Sequence, residues 1–323
     1  MRTPPPWNDA RTWLEKRWGG SVGRVGVDGG FSCPNRGSNR TSPGCAFCSA
    51  DGNRPPYQTR SSSLADQIRL AKGFLIERYG STLFSLYFQA YSSTWADVET
   101  LRSTYDEALA EGPFVDFTIG TRPDCVPDPV VELLASYRSS SRDVWVELGL
   151  QSSRDETLSR IGRGHDVRAF IDAAARLRKW GLPFTTHILF GLPGEGKAEF
   201  LDTVRLAVAE GTSGVKFHDL LLLPGTRLHE EWKQGLLSPV DPEAYLDAVA
   251  SALADLPPKI VVWRVCSDTE DRKSARPPGK KWPKNRFLQR LKDEVEKRKT
   301  AEPLSKRSKD RLWQATNEAK TAT

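Results

Sequence analysis

Short apolar runs alternate with stretches whose apolar residues recur at helical spacing through most of this chain. The runs at residues 24–27, 83–89, 114–119, 144–148, 184–190 and 215–220 predict strands. Leu64, Ile68, Ala71, Leu75 and Tyr79 share one helical face, as do Val98, Leu101, Tyr105 and Leu109. Residues 130–137, 167–180 and 198–209 complete the helical set, and Gly112, Gly181 and Gly211 stand where such helices end. Six strand-then-helix units in series predict parallel strands joined by right-handed crossovers. This α/β pattern suits a partial (β/α)6 barrel, TIM-barrel-like, or an open doubly wound sheet. In both, ligands sit at the C-terminal ends of the strands.

Past residue 220 the pattern predicts a helix at 242–256, a strand at 260–265 and a last amphipathic helix at 285–299, with Leu288, Leu291 and Val295 on one face. The expected division is a helical lead-in at 1–21, a barrel at 22–271 and a short basic C-terminal helix and tail at 272–323. No run approaches the roughly 18 apolar residues of a membrane span, and Met1 to Trp18 lacks the apolar core of a secretory signal. Five cysteines, three of them clustered, point to metal ligation in a reducing cytoplasm and against a disulfide framework. The last 52 residues carry 17 Lys/Arg against 6 Asp/Glu, a net of +11, which leaves −5 of the chain's +6 for the rest. With Trp282, Phe287 and Trp313 interleaved, that tail suits a polyanion such as nucleic acid as well as it suits a merely solvated surface.

Cys33, Cys45 and Cys48 are separated by eleven and then two residues, with no histidine nearby. A structural zinc site wants four ligands, whereas a cubane iron–sulfur cluster with one open iron wants three. The predicted strand ends carry Gln89-Ala90-Tyr91, Gly120-Thr121-Arg122-Pro123-Asp124-Cys125, Glu147-Leu148-Gly149-Leu150-Gln151-Ser152, Arg163-Gly164-His165 and Gly191-Leu192-Pro193-Gly194-Glu195. Taken together, polar residues and glycines at so many strand ends are better explained by a ligand pocket than by separate structural bonds. Cys125, at a strand end, is better placed to face that pocket than Cys266.

With these motifs, from roughly Val22 to Asp271, the chain resembles a radical S-adenosylmethionine (radical SAM) enzyme of the YhcC/YtqA type. It is more distantly similar to the radical SAM core of the elongator catalytic subunit. The resemblance implies that Cys33, Cys45 and Cys48 hold a [4Fe-4S] cluster whose fourth iron chelates S-adenosyl-L-methionine. It places Phe47 beside the adenine, with the Gly191–Pro193 turn beneath it. Gln89 and Tyr91 would meet the methionine amino group, and Glu147, Gln151 and Arg163 the ribose or the methionine carboxylate. Tyr91 and Cys125 are the candidates for a catalytic role. An external donor of the flavodoxin or ferredoxin type would reduce the cluster, and the radical formed would take a hydrogen atom from the substrate.

The YhcC/YtqA-type group includes a member linked to aminomethyl wobble uridine in tRNA, so tRNA, held by the basic tail, is the implied partner. About 50 residues follow Asp271, too few for an acetyltransferase domain, so no acetyl-coenzyme A route is expected. Two other functions compete: a radical enzyme acting on a small molecule or protein side chain, and a zinc-stapled nucleic-acid-binding protein using Cys125 or a histidine as fourth ligand.

Overall fold

The computed structural model describes residues 4–50, 63–267 and 283–301. Seven strands form one sheet in sequential order, every neighbouring pair parallel. They are β1 (Val22–Val27), β2 (Leu83–Phe88), β3 (Asp116–Thr121), β4 (Asp143–Gln151), β5 (Phe184–Phe190), β6 (Gly214–Asp219) and β7 (Val261–Arg264). The order never reverses, which removes the doubly wound alternative and leaves a half-barrel. The isolated strand expected at 260–265 is β7, which extends the same sheet beyond β6.

The two faces of the strands differ sharply. Val25, Val27, Leu86, Phe88, Phe117, Ile119, Val146, Ile188 and Phe217 are buried under the crossover helices, in one continuous apolar core. Those helices are α2 (Leu64–Tyr79), α3 (Val98–Ala110), α4 (Asp128–Ser136), α6 (Val167–Lys179), α7 (Lys197–Ala209) and α9 (Pro242–Asp255). The alternate positions carry Arg24, Tyr87, Asp116, Glu147, His187 and Lys216, so the concave face is polar. The short helices α5 (Asp155–Arg160) and α8 (Arg227–Lys233) and the 3-10 turn Pro123–Cys125 are too brief to show a period, and all lie in strand-end loops.

Helix α1 (Ala10–Trp18) closes the N-terminal mouth of the half-barrel. Asp9 caps it by accepting from the Thr12 amide at 3.2 Å. Trp13 meets Trp145 edge-on at 5.4 Å and Trp263 at 6.2 Å, and Arg17 forms a bidentate pair with Asp143 at 3.0 Å.

Helix α10 (Lys284–Ala301) packs on α9 through Phe287, Leu291 and Val295. Phe287 stacks on Tyr245 at 5.7 Å and 13°, which corrects the expectation that it interleaves with the basic tail: it is a core residue. Arg290 and Arg298 of this helix pair with Glu243 and Asp247 of α9. Trp282, Trp313 and most of the remaining tail lie outside the described residues. Among the described residues no helix is long and apolar enough to cross a membrane.

Because Leu291 is fully buried, Leu291→Ala should cost about 2–5 kcal/mol. The urea midpoint should fall with an unchanged m-value; an unmoved midpoint would mean that α10 adds nothing to the core.

Candidate active site at the strand ends

The loop after β1 brings the three cysteines to the C-terminal mouth. Cys33 begins a turn in which its carbonyl accepts from the amides of Arg36 and Gly37, and the Cys48 amide donates to the Cys45 carbonyl at 3.0 Å. The buried Arg36 guanidinium staples the loop by donating to the carbonyls of Cys48 at 3.0 Å and Ser49 at 2.7 Å. Ala46 is clamped on both sides: its amide donates to Ile161 at 2.8 Å, and its carbonyl accepts from Leu228 at 3.0 Å. All three thiols are free of disulfides.

Two polar residues address Cys45. Asn35 Nδ2 lies 3.2 Å from its sulfur and also donates to the carbonyls of Gly162 and Arg163. Arg163 places one guanidinium nitrogen 3.4 Å from the same sulfur and donates with the other to the Gly149 carbonyl at 2.7 Å. A β-carbon at Gly149 would lie 2.5 Å from that second nitrogen, so a larger residue there would push the Arg163 guanidinium off its carbonyl. Burial raises the Cys45 thiol pKa, but Arg163, Asn35 and Arg122 together more than cancel it and hold the thiol below its ordinary value. Burial instead lifts Cys48, with the neighbouring sulfurs Cys45 and Cys33 adding to it against Arg36. Burial and then Asp124 push Cys125 up to about 12, so it keeps its proton.

The other expected contacts surround this loop. Tyr91 has φ +58° and donates its hydroxyl to the Ala50 carbonyl at 2.9 Å, with Arg40 over its ring at 4.3 Å. Gln151 has φ +75° at the irregular end of β4. The Gln89 amide continues the β1–β2 ladder by donating to Val27 at 3.1 Å. Phe47 shares a small apolar cluster with Leu192 of the Gly191–Pro193 turn, and Gly191 takes φ +86°. Arg122 forms a bidentate pair with Asp124, beside the buried Cys125.

Glu147, expected to meet the cofactor, lies deeper than the loop residues around it. It sits mid-strand, four residues before Gln151, and points down the lumen. One oxygen accepts from Arg24 at 2.5 Å; the other accepts from Tyr87 and Lys216, both at 2.6 Å, and meets His187 Nε2 at 2.9 Å. Three contacts converge on one oxygen and one on the other, so the carboxylate is engaged deep in the lumen. Burial opposes its charge, but Arg24 and Lys216 outweigh burial and hold the carboxyl well below its usual range. His187 and Lys216 stand in strand-end segments and Tyr87 in a family motif, but the sequence does not single out these residues, or Arg24, as partners of Glu147. Their signal was a single polar or charged residue at an inward position of an otherwise apolar strand.

The Radical SAM superfamily model matches residues 33–207, beginning at the first of the three cysteines, and the Radical_SAM C-terminal domain model matches residues 212–297. The chain belongs to the radical SAM superfamily. It is 38% identical over 252 residues to Protein YhcC of Escherichia coli, spanning 78% of this chain and 80% of that one. It is 28% identical over 157 residues to the tRNA uridine(34) acetyltransferase of Dehalococcoides mccartyi, 48% of this chain and 33% of that one. The radical SAM half-barrel is shared with archaeal Elp3 of Methanocaldococcus infernus: TM-score 0.63 at 20% identity, covering 85% of this chain and 63% of that one. Radical SAM enzymes use a [4Fe-4S] cluster and S-adenosylmethionine. The residues present suit a cluster: three thiols outside any disulfide share one loop, and at Cys45 the neighbouring Arg163 and Asn35 favour the thiolate that iron requires.

Two consequences can be measured. Arg163→Gln should move the thiolate absorbance midpoint of Cys45 in the metal-free protein to higher pH, with Cys45→Ala as the control that assigns the signal; an unmoved midpoint would sink the role given to Arg163. Glu147→Ala leaves Arg24 and Lys216 buried without their counter-ion, and should cost about 3–5 kcal/mol in urea unfolding. A loss under about 1 kcal/mol, the level of a surface pair, would contradict the lumen network.

Proposed function

We propose that this radical SAM enzyme modifies tRNA at the C5 substituent of the wobble uridine. Cys33, Cys45 and Cys48 would hold the [4Fe-4S] cluster. When bound, the cluster and S-adenosylmethionine supply the 5′-deoxyadenosyl radical that abstracts a hydrogen atom. Everything else is positioning and exclusion of water. The observation that carries the reading is the cysteine loop, fixed over the strand ends with Arg163 and Asn35 against Cys45.

Phe47 and the Gly191–Pro193 turn offer an apolar wall for the adenine. Gln89 and Tyr91 would meet the methionine amino group, and Glu147, Gln151 and Arg163 the ribose or the carboxylate. Arg163 suits the carboxylate because it is cationic and its Nε is buried without a partner. Tyr91 is tied to the cysteine loop by its hydroxyl, which suits positioning. Cys125, protonated at working pH, retains a hydrogen atom that it could return to a substrate radical. An external flavodoxin- or ferredoxin-type protein would deliver the electron. The tRNA part is supported by similarity to the tRNA uridine(34) acetyltransferase and by the basic tail.

The test is anaerobic reconstitution with iron and sulfide, then dithionite and S-adenosylmethionine, with and without total tRNA. 5′-Deoxyadenosine should form, require all three cysteines and rise with tRNA. Binding of tRNA should weaken with salt at a log–log slope of roughly −0.7 to −0.9 per phosphate contacted, and deletion of residues 302–323 should reduce that slope. No deoxyadenosine from a loaded protein would overturn the radical reading. Deoxyadenosine indifferent to tRNA but stimulated by a metabolite pool would replace tRNA with a small molecule.

A further inference from the structure

The lumen holds more positive charge than its own groups neutralise. Glu147 is the carboxylate at its centre, and it is already engaged by Arg24, Tyr87, His187 and Lys216. Asp116 accepts from the hydroxyls of Ser85 and Thr118, both at 2.6 Å, and Asp143 is taken by Arg17. Facing these are Arg24, Lys216 and Arg264. Lys216 and Arg264 are register partners on β6 and β7. Arg264 makes no hydrogen bond or ion pair among the described residues. His218, two residues beyond Lys216 on the same face, has a buried Nε2 without a partner, and its ring lies 5.3 Å from that of His187. Arg24, His187, His218 and Arg264 all keep some accessible surface despite their depth, so solvent reaches them.

We propose that this chamber binds an oxyanion of the substrate, a carboxylate or a phosphate, between Arg264, His218 and Lys216. The inference rests on the lumen being the substrate chamber of the radical enzyme, and it adds the chemical class of the group held there. Arg264 supplies a planar pair of donors, which suits either oxyanion. His218 adds one N–H from the side. Lys216, already bonded to Glu147, supplies charge. Burial first, then Arg24, depresses the Lys216 pKa well below its ordinary value, an effect that an arriving anion would relieve. With its anion anchored at this depth, a substrate presents its reacting carbon toward the cysteine loop at the mouth.

Trp145 and Trp263 line the lumen, and Arg24 lies over the Trp263 ring at 4.8 Å, so intrinsic fluorescence reports on occupancy. The full chain is titrated with sodium acetate and, separately, sodium phosphate, against sodium chloride at equal ionic strength. Saturable quenching in the millimolar range is expected, and the tighter of the two anions identifies the group. Arg264→Gln should weaken binding about tenfold or more, the loss of one charged hydrogen-bonding partner. Arg264→Lys should recover part of it, and Arg290→Gln on the surface should leave it unchanged. The proposal fails if neither anion saturates beyond the chloride control, if R264Q binds like the parent, or if R264K loses as much as R264Q. The assay contains no iron, S-adenosylmethionine or tRNA, so its failure leaves the radical reading standing, and a failed deoxyadenosine assay leaves the titration readable.

Discussion

The buried carboxylate of Glu147 is the point on which the half-barrel turns. A lone carboxylate taken out of water costs several kcal/mol, and only a full set of charged and hydrogen-bonded partners offsets that. Here the partners come from β1, β2, β5 and β6, while Glu147 itself stands on β4. The interaction therefore closes only when strands from both halves of the sheet curve inward around β4. The aromatic group of Trp13, Trp145 and Trp263 fills the space below.

From that centre the geometry is carried upward along one strand. Gly149, two residues on from Glu147, offers its carbonyl to Arg163, and Arg163 in turn reaches Cys45. The cysteine loop is thus referenced to the same strand that organises the lumen. Loop and chamber keep a fixed relation even though the loop itself has little regular structure. Arg163 carries both functions at once: it is a mechanical link between α5's end and β4, and it is the cation that favours thiolate at Cys45.

What was legible in the sequence follows from which face of each strand speaks loudest. The outer positions are apolar and continuous, so the strands, their order and the crossover helices could be read from runs and helical spacing. The inner positions interrupt those runs with single charges, and taken one at a time Arg24 or Lys216 looks like a flaw in a strand. Only the parallel register brings them to one point. The spacing of Cys33, Cys45 and Cys48 was readable because all three fall within one short stretch. The motif around Glu147 gives its identity and not its depth along the strand, which only the register shows. Phe287 was assigned to the tail because its neighbours are basic, whereas helical spacing puts it on the same face as Leu291 and Val295.

Backbone strain marks what periodicity cannot. Among the described residues only Arg40, Tyr91 and Gln151 combine a side chain with positive φ, a conformation that costs of order 1–3 kcal/mol outside glycine. All three belong to the loops at the C-terminal mouth, and Arg40 lies over the Tyr91 ring. The strain persists because the surroundings fix each residue: Tyr91 through its bond to Ala50, Gln151 through the irregular end of β4. Glycine would relieve it without moving the backbone, so what the fold retains at these positions is the side chain. At Tyr91 and Arg40 that side chain ties the mouth together, through the carbonyls of Ala50 and Phe31, and glycine would forgo both bonds.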